Sequence, residues 1–186
     1  AAEIDGDKLE EWEVLGFCIL LLVAGNETTT NLLSNMLNIL VERPDLWRRL
    51  RDDRALVEVA IEETLRYESP VQQLIRMATR DVEIGGRKIF QSQPVAVCYG
   101  AANRDPAVFP DPDTFRLDRD WTRHLGFGAG IHYCLGAPLA RVESQISLNA
   151  LLDRFSSLER GDGRSVRQRA TNLLLGLREL PLRFRG

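Results

Sequence analysis

The feature that most constrains this chain is Cys134, a cysteine in a glycine-rich turn directly before a predicted helix. The run reads Phe127-Gly128-Ala129-Gly130-Ile131-His132-Tyr133-Cys134-Leu135-Gly136. A thiol at a helix N-terminus faces free N–H groups, which favour the thiolate, and glycines let the backbone approach a flat, bulky partner. A thiolate on such a loop, beside an aromatic residue and a histidine, suits axial ligation of haem iron. Taken alone, Cys134 would equally fit a buried structural cysteine.

Composition places the chain among globular proteins of ordinary size. It has 186 residues, of which 44% are hydrophobic and 27% charged, and its formal charge of −3 predicts neither nucleic acid nor an anionic membrane as a partner. The cysteines Cys18, Cys98 and Cys134 are far apart and odd in number. This pattern argues against a disulfide framework and favours a cytoplasmic location.

The longest apolar run extends from Val14 to Gly25 and is too short by itself to span a bilayer. It is apolar around the full circumference of a helix, so it needs cover on every side. Because few residues precede it, we expect part of that cover to come from outside the sequence. An N-terminal companion fragment, or self-association of this chain, would supply it.

The pattern along the chain predicts a single domain, mainly α with small β-sheets (α+β). It indicates a long helix over residues 5–40, a short one over 45–51 opened by Pro44, and a third over 55–67. Short strands follow within 71–99, including a hairpin that turns at Gly85-Gly86. Residues 101–121 predict an irregular meander and 126–136 the cysteine loop. A last helix covers 135–155, and two strands broken at Arg178-Glu179 lie within 173–184.

The middle of the first predicted helix has an unfavourable composition. Ala24-Gly25-Asn26-Glu27-Thr28-Thr29 places a glycine there, which costs about 1 kcal/mol relative to alanine, before consecutive threonines. The small residues leave space for a ligand, and the adjacent acid and alcohol can pass protons through water. The alternative is a notch for helix packing with exposed polar neighbours.

An acid and a base, Glu63 and Arg66, lie three residues apart on one face of the third helix. Alone, this spacing fits an exposed ion pair worth a few tenths of a kcal/mol.

The loop at 127–136 resembles the haem-binding loop of the cytochrome P450 family. The run Ala24 to Thr29 resembles the oxygen-activation segment of that family, and Glu63-Thr64-Leu65-Arg66 matches its ExxR motif. The run Pro112-Asp113-Thr114-Phe115-Arg116-Leu117-Asp118-Arg119 resembles its meander. The resemblance covers essentially the whole chain but only the C-terminal half of the family fold.

The resemblance assigns roles to the polar residues of two segments. Thr28 would hold the activated oxygen and Glu27 would feed the proton network. Glu63 and Arg66 would form a buried structural triad with an arginine of the meander, for which Arg119 is the first candidate. This chain departs from the usual Pro-Glu-Arg-Phe, with Leu117 and Asp120 in place of proline and phenylalanine, so Arg116 stays a competitor.

The resemblance also implies haem b as cofactor. Cys134 would be the axial ligand of the iron, in a loop with Gly128 and Gly136, and Phe127 would pack beside the sulfur and tune the iron. His132 and Arg76 match positions that bind the propionates. His124 is open between a third propionate contact and a loop histidine satisfied within the protein.

The implied activity is that of a monooxygenase, which inserts one atom of O2 into a small hydrophobic organic substrate. Electrons would come from NAD(P)H through a ferredoxin-type donor and its reductase, because the sequence has no GxGxxG segment. Two alternatives stay open: a peroxygenase or non-oxygenative member of the family, and a truncated chain that binds haem weakly or not at all. Candidate residues of the substrate pocket are Ala24, Val71, Gln72, Gln73, Leu74 and Ile75.

Overall fold

The protein is mainly helical, with five small two-stranded antiparallel sheets in the part of the chain described here. The structure is a computed structural model that describes residues 3–4, 6–168 and 171–186. The α-helices are α1 Glu11–Glu42, α2 Pro44–Asp52, α3 Leu56–Tyr67, α4 Tyr99–Ala102 and α5 Ala137–Arg154. The strands are β1 Glu3–Ile4, β2 Asp7–Lys8, β3 Leu74–Met77, β4 Val82–Ile84, β5 Arg87–Ile89, β6 Pro94–Val97, β7 Ser157–Arg160, β8 Val166–Arg167, β9 Leu177–Glu179 and β10 Leu182–Arg185.

Helix α1 begins later than predicted. Asp5, the predicted first residue, lies outside the described residues. Gly6 adopts a φ of +83° in the turn between β1 and β2, a backbone conformation that glycine tolerates. The helix starts only after Glu10, whose backbone N–H donates to the carboxylate of Glu13 at 2.8 Å in a capping box. The acidic residues that suggested an early start therefore form this cap.

The hydrophobic core lies where the second half of α1 packs with α2, α3 and α5. Leu50, Ala60, Leu148 and Leu152 are fully buried there, and β7 and β10 pack against this cluster through residues such as Leu158. Helix α3 packs against both α1 and α5. Its buried face therefore places Glu62, Glu63 and Arg66 beneath the loops that connect the strands to α5.

The first half of α1 contrasts with the second, because its apolar side chains are exposed. Leu22 has 75% of its surface accessible and Val23 has 68%. By length and composition alone, this helix could cross a membrane: its most apolar window has a mean hydropathy of 1.2. Core helices of soluble proteins meet the same criterion. The apolar run at 14–25 is thus part of a longer helix. The short length of the run therefore does not argue against a membrane span.

The C-terminal tail also differs from the prediction. The break between its strands lies at Leu180-Pro181, and Arg178 and Glu179 are the end of β9. Proline lacks the N–H that a continuing ladder would need, whereas the charged pair can point to solvent. Leu174 makes only an isolated bridge to Val71. The last helix begins at Ala137, with Pro138 in its first turn, rather than at Leu135.

Candidate functional site

The cysteine loop is closed by its own backbone. Gly128 and Gly130 have φ values of +73° and +65°, in the left-handed region that other residues avoid. The turn they make brings the N–H of Cys134 to 2.9 Å from the carbonyl oxygen of Phe127, to which it donates a hydrogen bond. A single 3₁₀ turn, Gly130–His132, lies between them. The loop is therefore a defined turn that presents one residue, Cys134, at its end.

Cys134 is exposed and lies just before the N-terminus of α5. Its carbonyl oxygen accepts from the N–H of Ala137 at 3.2 Å, which joins the loop to the first helical turn. The neighbouring apolar side chains Ile131 and Leu135 are strongly exposed as well, Ile131 at 97%. Cys18 and Cys98 are also free and exposed, but they lie on α1 and directly after β6. Only Cys134 combines a glycine turn with a helix N-terminus.

This donor set fits a haem. An exposed thiol at a helix N-terminus supplies a soft anionic ligand for iron, and exposed apolar side chains beside it suit the face of a macrocycle. A Cβ built on Gly25 would meet no atom within 4 Å, so this part of α1 leaves the space that its small residues predicted. Cys134, Ile131 and Leu135 would hold the group from the loop side.

The predicted propionate donors differ in whether they already pair with a carboxylate of the described residues. Arg76, on β3, is half-buried and donates to the carbonyl of Ile75 at 3.1 Å, and it pairs with no carboxylate of the described residues. His132 is exposed at the end of the 3₁₀ turn. Both side chains remain available for an anionic ligand. His124 already has a partner within the protein, because its Nε2 lies 2.7 Å from the buried carboxylate of Glu62. Of the two alternatives for His124, it is therefore the loop histidine that is satisfied within the protein.

The acid–alcohol pair on α1 has defined partners. Oγ1 of Thr28 donates to the carbonyl oxygen of Ala24 at 2.6 Å, a back-bond that tends to bend a helix. Oε1 of Glu27 accepts from Nε2 of Gln168 at 2.9 Å. Glu27 and Gln168 line a groove of ≈ 470 Å³ together with Asn31, whose buried Nδ2 has no hydrogen-bond partner. The groove thus carries polar groups along one side of the helix.

The ExxR pair is fully buried, contrary to the exposed alternative. Nε and Nη2 of Arg66 both donate to the carboxylate of Glu63 at 2.8 Å. Nε of Arg119 donates to Oε1 of Glu63 at 3.3 Å. Arg116, the competing arginine, contributes only its backbone N–H, at 3.0 Å, while its side chain pairs with Asp118 at the surface. The structure thus brings Arg119, rather than the side chain of Arg116, to the pair.

A second buried acid, Glu62, was not identified from the sequence. It lies beside Glu63 on α3, is fully buried, and receives hydrogen bonds from His124 and Arg141. Burial raises the pKa of Glu62, but the hydrogen bonds from His124 and Arg141 outweigh burial and leave the pKa below its ordinary value. The hydrogen bond to Glu62 raises the pKa of Arg141. No local spacing signals this cluster, because its partners are far apart in sequence.

Part of the predicted substrate segment makes contacts that serve the fold. Nε2 of Gln72 donates to the carbonyl of Ser69 at 2.6 Å, and its amide packs where a Cβ on Gly100 would be, so Gln72 serves the fold rather than a free polar contact. Leu74 and Ile75 are exposed. The carbonyl of Leu173 accepts from the N–H of Gln72 at 2.7 Å, which brings a second exposed leucine to this segment.

Comparison with known proteins gives a consistent picture. The family described as cytochrome P450 matches residues 1–184. Cytochrome P450 109 of Bacillus spizizenii is 46% identical over 184 residues, which is 98% of this chain and 45% of that protein. The structure of CYP109E1 from Bacillus megaterium in complex with testosterone superposes with a TM-score of 0.93 at 43% identity, over 99% of this chain and 51% of that one.

A third match involves a carrier-bound ligand. P450BioI in complex with hexadec-9Z-enoic acid ligated acyl carrier protein superposes with a TM-score of 0.91 at 45% identity, over 96% of this chain and 46% of that one. The chain spans about half the length of the relatives it matches.

Proposed function

The chain belongs to the cytochrome P450 family, and we propose on that premise that it forms the haem-binding half of a haem-thiolate monooxygenase. The observation that carries the proposal is Cys134, an exposed thiol that a glycine turn presents beside the N-terminus of α5. The buried cluster of Glu63, Arg66 and Arg119 supports the rigid scaffold that such a loop needs.

Haem b, when bound, supplies the redox chemistry that activates O2 for insertion into an organic molecule. Cys134, directly before the N-terminus of α5, would supply the sulfur ligand of the iron. Arg76 and His132, neither of which pairs with a carboxylate of the described residues, would bind the propionates. Phe127, whose carbonyl oxygen accepts from the N–H of Cys134, would pack beside the sulfur and tune the iron.

Thr28 and Glu27 deliver protons. The hydroxyl of Thr28 donates to the carbonyl oxygen of Ala24, so its lone pairs are free to accept a hydrogen bond. Rotation about the Cβ–Oγ1 bond would turn its proton towards a ligand. Glu27 is exposed and held by Gln168, so it can exchange protons with water in the groove. Proton transfer from Glu27 to Thr28 would run through one or more waters, because the two side chains share no direct hydrogen bond.

The substrate is a small hydrophobic organic molecule, held near Val71, Leu74, Ile75 and Leu173. The exposed apolar side chains of this segment support the assignment. Relatives crystallised with testosterone and with a fatty acid on acyl carrier protein match this chain about equally well, so similarity alone does not choose between steroid-like and acyl substrates. Electrons reach the site from NAD(P)H through a separate ferredoxin-type donor and reductase.

We assign α1 to a protein core in the cytoplasm rather than to a membrane. Asn31 and Asn35 in its second half are buried among α3 and the C-terminal strands, and Nδ2 of Asn35 donates to the carbonyls of Glu68 and Leu175. Such polar packing suits a helix that crosses a folded core. The structure of CYP109E1 superposes over 99% of this chain.

The competing function is that of a peroxygenase, which needs no proton delivery during oxygen activation. The intact pair of Glu27 and Thr28, with Gln168 holding the acid, favours the O2-dependent reaction.

The test supplies the haem-loaded protein with isotopically labelled dioxygen, a ferredoxin, its reductase and NADPH, using a compound that perturbs the haem spectrum on binding. The proposal expects one labelled oxygen atom in each product molecule. Product that forms only with hydrogen peroxide, and carries oxygen from labelled peroxide, would favour the peroxygenase.

A further inference from the structure

Glu62 is a hub of hydrogen bonds inside the protein. Its side chain is fully buried on α3, and both carboxylate oxygens are used. Oε2 accepts from Nε2 of His124 at 2.7 Å and from Nη2 of Arg141 at 3.0 Å. Oε1 accepts from Nε of Arg141 at 2.5 Å. Three donors therefore converge on one buried carboxylate, an arrangement that fixes the donors relative to each other.

The first arm of the hub, through His124, holds the start of the cysteine loop. Nδ1 of His124 accepts from the backbone N–H of Gly126 at 3.0 Å, so the proton of the neutral ring is on Nε2, where it meets Glu62. A Cβ on Gly126 would lie 2.9 Å from the carbonyl oxygen of Leu65. The loop thus enters in direct contact with the backbone of α3.

The second arm, through Arg141, holds the other end of the loop. Nη1 of Arg141 donates to the hydroxyl of Tyr133 at 3.1 Å, and the guanidinium lies 4.7 Å from the centre of the Phe127 ring. Tyr133 directly precedes Cys134, and the carbonyl of Phe127 accepts from the N–H of Cys134. Both contacts of Arg141 therefore fall on residues attached to the cysteine.

The ExxR cluster reaches the cysteine loop only indirectly, through Asn103, whose Oδ1 accepts from the N–H of Leu125 at 2.7 Å. Arg66 donates to the carbonyls of Asn103, Pro112 and Thr114, and Arg119 donates to Pro110 and Asp111. All of these carbonyls lie in the meander before the loop. The two neighbouring acids of α3 thus face different segments: one holds the meander and the other holds the cysteine loop.

We propose that Glu62 is a positioning residue for the thiolate. Through His124 and Arg141 it clamps both ends of the segment 124–134 to α3, and so fixes the direction in which Cys134 presents its sulfur. The inference rests on the proposed function in so far as that sulfur binds haem. The geometric part, that Glu62 orders the loop, concerns the described residues alone.

The test variant is Glu62→Gln, which keeps the shape of the side chain but leaves one acceptor oxygen for three donors. In the haem-free protein, hydrogen exchange at the amides of 124–134 should become about tenfold faster, because a charge-assisted network is lost. Exchange in β7 and β10, which follows unfolding of the core, should accelerate less than exchange in the loop. In the haem-loaded protein, a part of the ferrous carbon monoxide complex should change from the thiolate to the thiol form at equal haem content.

Two further variants sharpen the result. Tyr133→Phe removes one hydrogen bond from the arm of Arg141 and should give a smaller change in the same direction. Asp153→Asn removes the exposed pair with Arg54, at 2.7 Å, which ties α5 to the turn before α3 without touching the loop. It should leave both the exchange of the loop and the haem spectrum unchanged.

The outcomes separate this inference from the function itself. Unchanged exchange in Glu62→Gln, or an acceleration as large in β7 and β10 as in the loop, would overturn the positioning role. A wild-type protein without any thiolate form would refute the proposed function, while the exchange data on the haem-free protein would still decide the role of Glu62.

Discussion

The backbone N–H of Cys134 donates to the carbonyl oxygen of Phe127 at 2.9 Å. This bond joins the two ends of the glycine turn, and it ties the thiol to an aromatic ring that Arg141 holds at 4.7 Å. A turn closed in this way depends on backbone that only glycine adopts readily. The geometry of the loop should therefore be sensitive to changes that leave every other contact in place.

Gly128→Ala tests the turn directly. An alanine at φ of +73° is strained by about 1–2 kcal/mol, and its Cβ would lie 3.4 Å from the carbonyl oxygen of His132. We expect the free energy of unfolding to fall by about that amount, measured by denaturant titration. The matched change Gly16→Ala lies in helix α1 with no atom within 4 Å of the new Cβ, and it should raise stability by up to about 1 kcal/mol. Equal effects of the two changes would contradict the assignment of strain.

Thr28→Ala tests proton delivery. The variant loses the hydroxyl that now back-bonds to Ala24 but keeps the helix. It should retain haem while product formed per NADPH consumed falls severalfold, because general acid catalysis commonly contributes about 10²–10⁴-fold in rate. Ser34→Ala removes a comparable bond, from Ser34 to the carbonyl of Asn31 at 3.1 Å, farther along α1. That control should keep wild-type coupling, and equal coupling in both variants would exclude the role of Thr28.

Arg66→Lys tests the buried triad. Lysine cannot make the two parallel bonds to Glu63 and still reach the carbonyls of the meander. Disrupting a buried pair costs about 3–5 kcal/mol, so we expect a large loss of unfolding free energy and poor haem retention. Arg116→Lys, which alters an exposed pair with Asp118, should leave the free energy of unfolding close to that of the wild type. A small effect at Arg66 would mean that the cluster does not support the fold.

Stability should depend on acid through Glu62. Its pKa lies below the ordinary value of 4.5 in the folded protein. The charged form therefore stabilises the fold above that value, and the contribution disappears as the pH falls through the folded pKa. Denaturant titrations over a series of pH values should show a gap between wild type and Glu62→Gln that is constant near neutral pH and narrows below 4.5. A stability difference that widens in acid would contradict the direction of this pKa shift.

Local chemistry in the sequence predicted the loop and the helices that flank it. The residues within each motif lie close together in sequence, Cys134 with its glycines and Glu63 with Arg66, and their spacing carries the information. The sequence could not decide between Arg116 and Arg119, because both lie within reach of Glu63 and only the path of the meander separates them.

Contacts between residues far apart in sequence could not be predicted in the same way. His124 and Arg141 meet Glu62 across 62 and 79 positions, and nothing at any of these sites marks the partner. The start of α1 was misplaced for a local reason instead: acidic residues near a helix start fit the dipole whether they lie inside the helix or cap it. Glu10 and Glu13 form the cap.

The most direct test of the account is the carbon monoxide difference spectrum of the reduced, haem-loaded protein, recorded for the wild type and for Cys134→Ala. Neither Cys18 nor Cys98 lies in a comparable loop, so no other thiol can replace the ligand. We expect a thiolate-type spectrum in the wild type and its complete loss in the variant. A thiolate-type spectrum that persists in Cys134→Ala would contradict the assignment of Cys134 as the ligand of the haem iron.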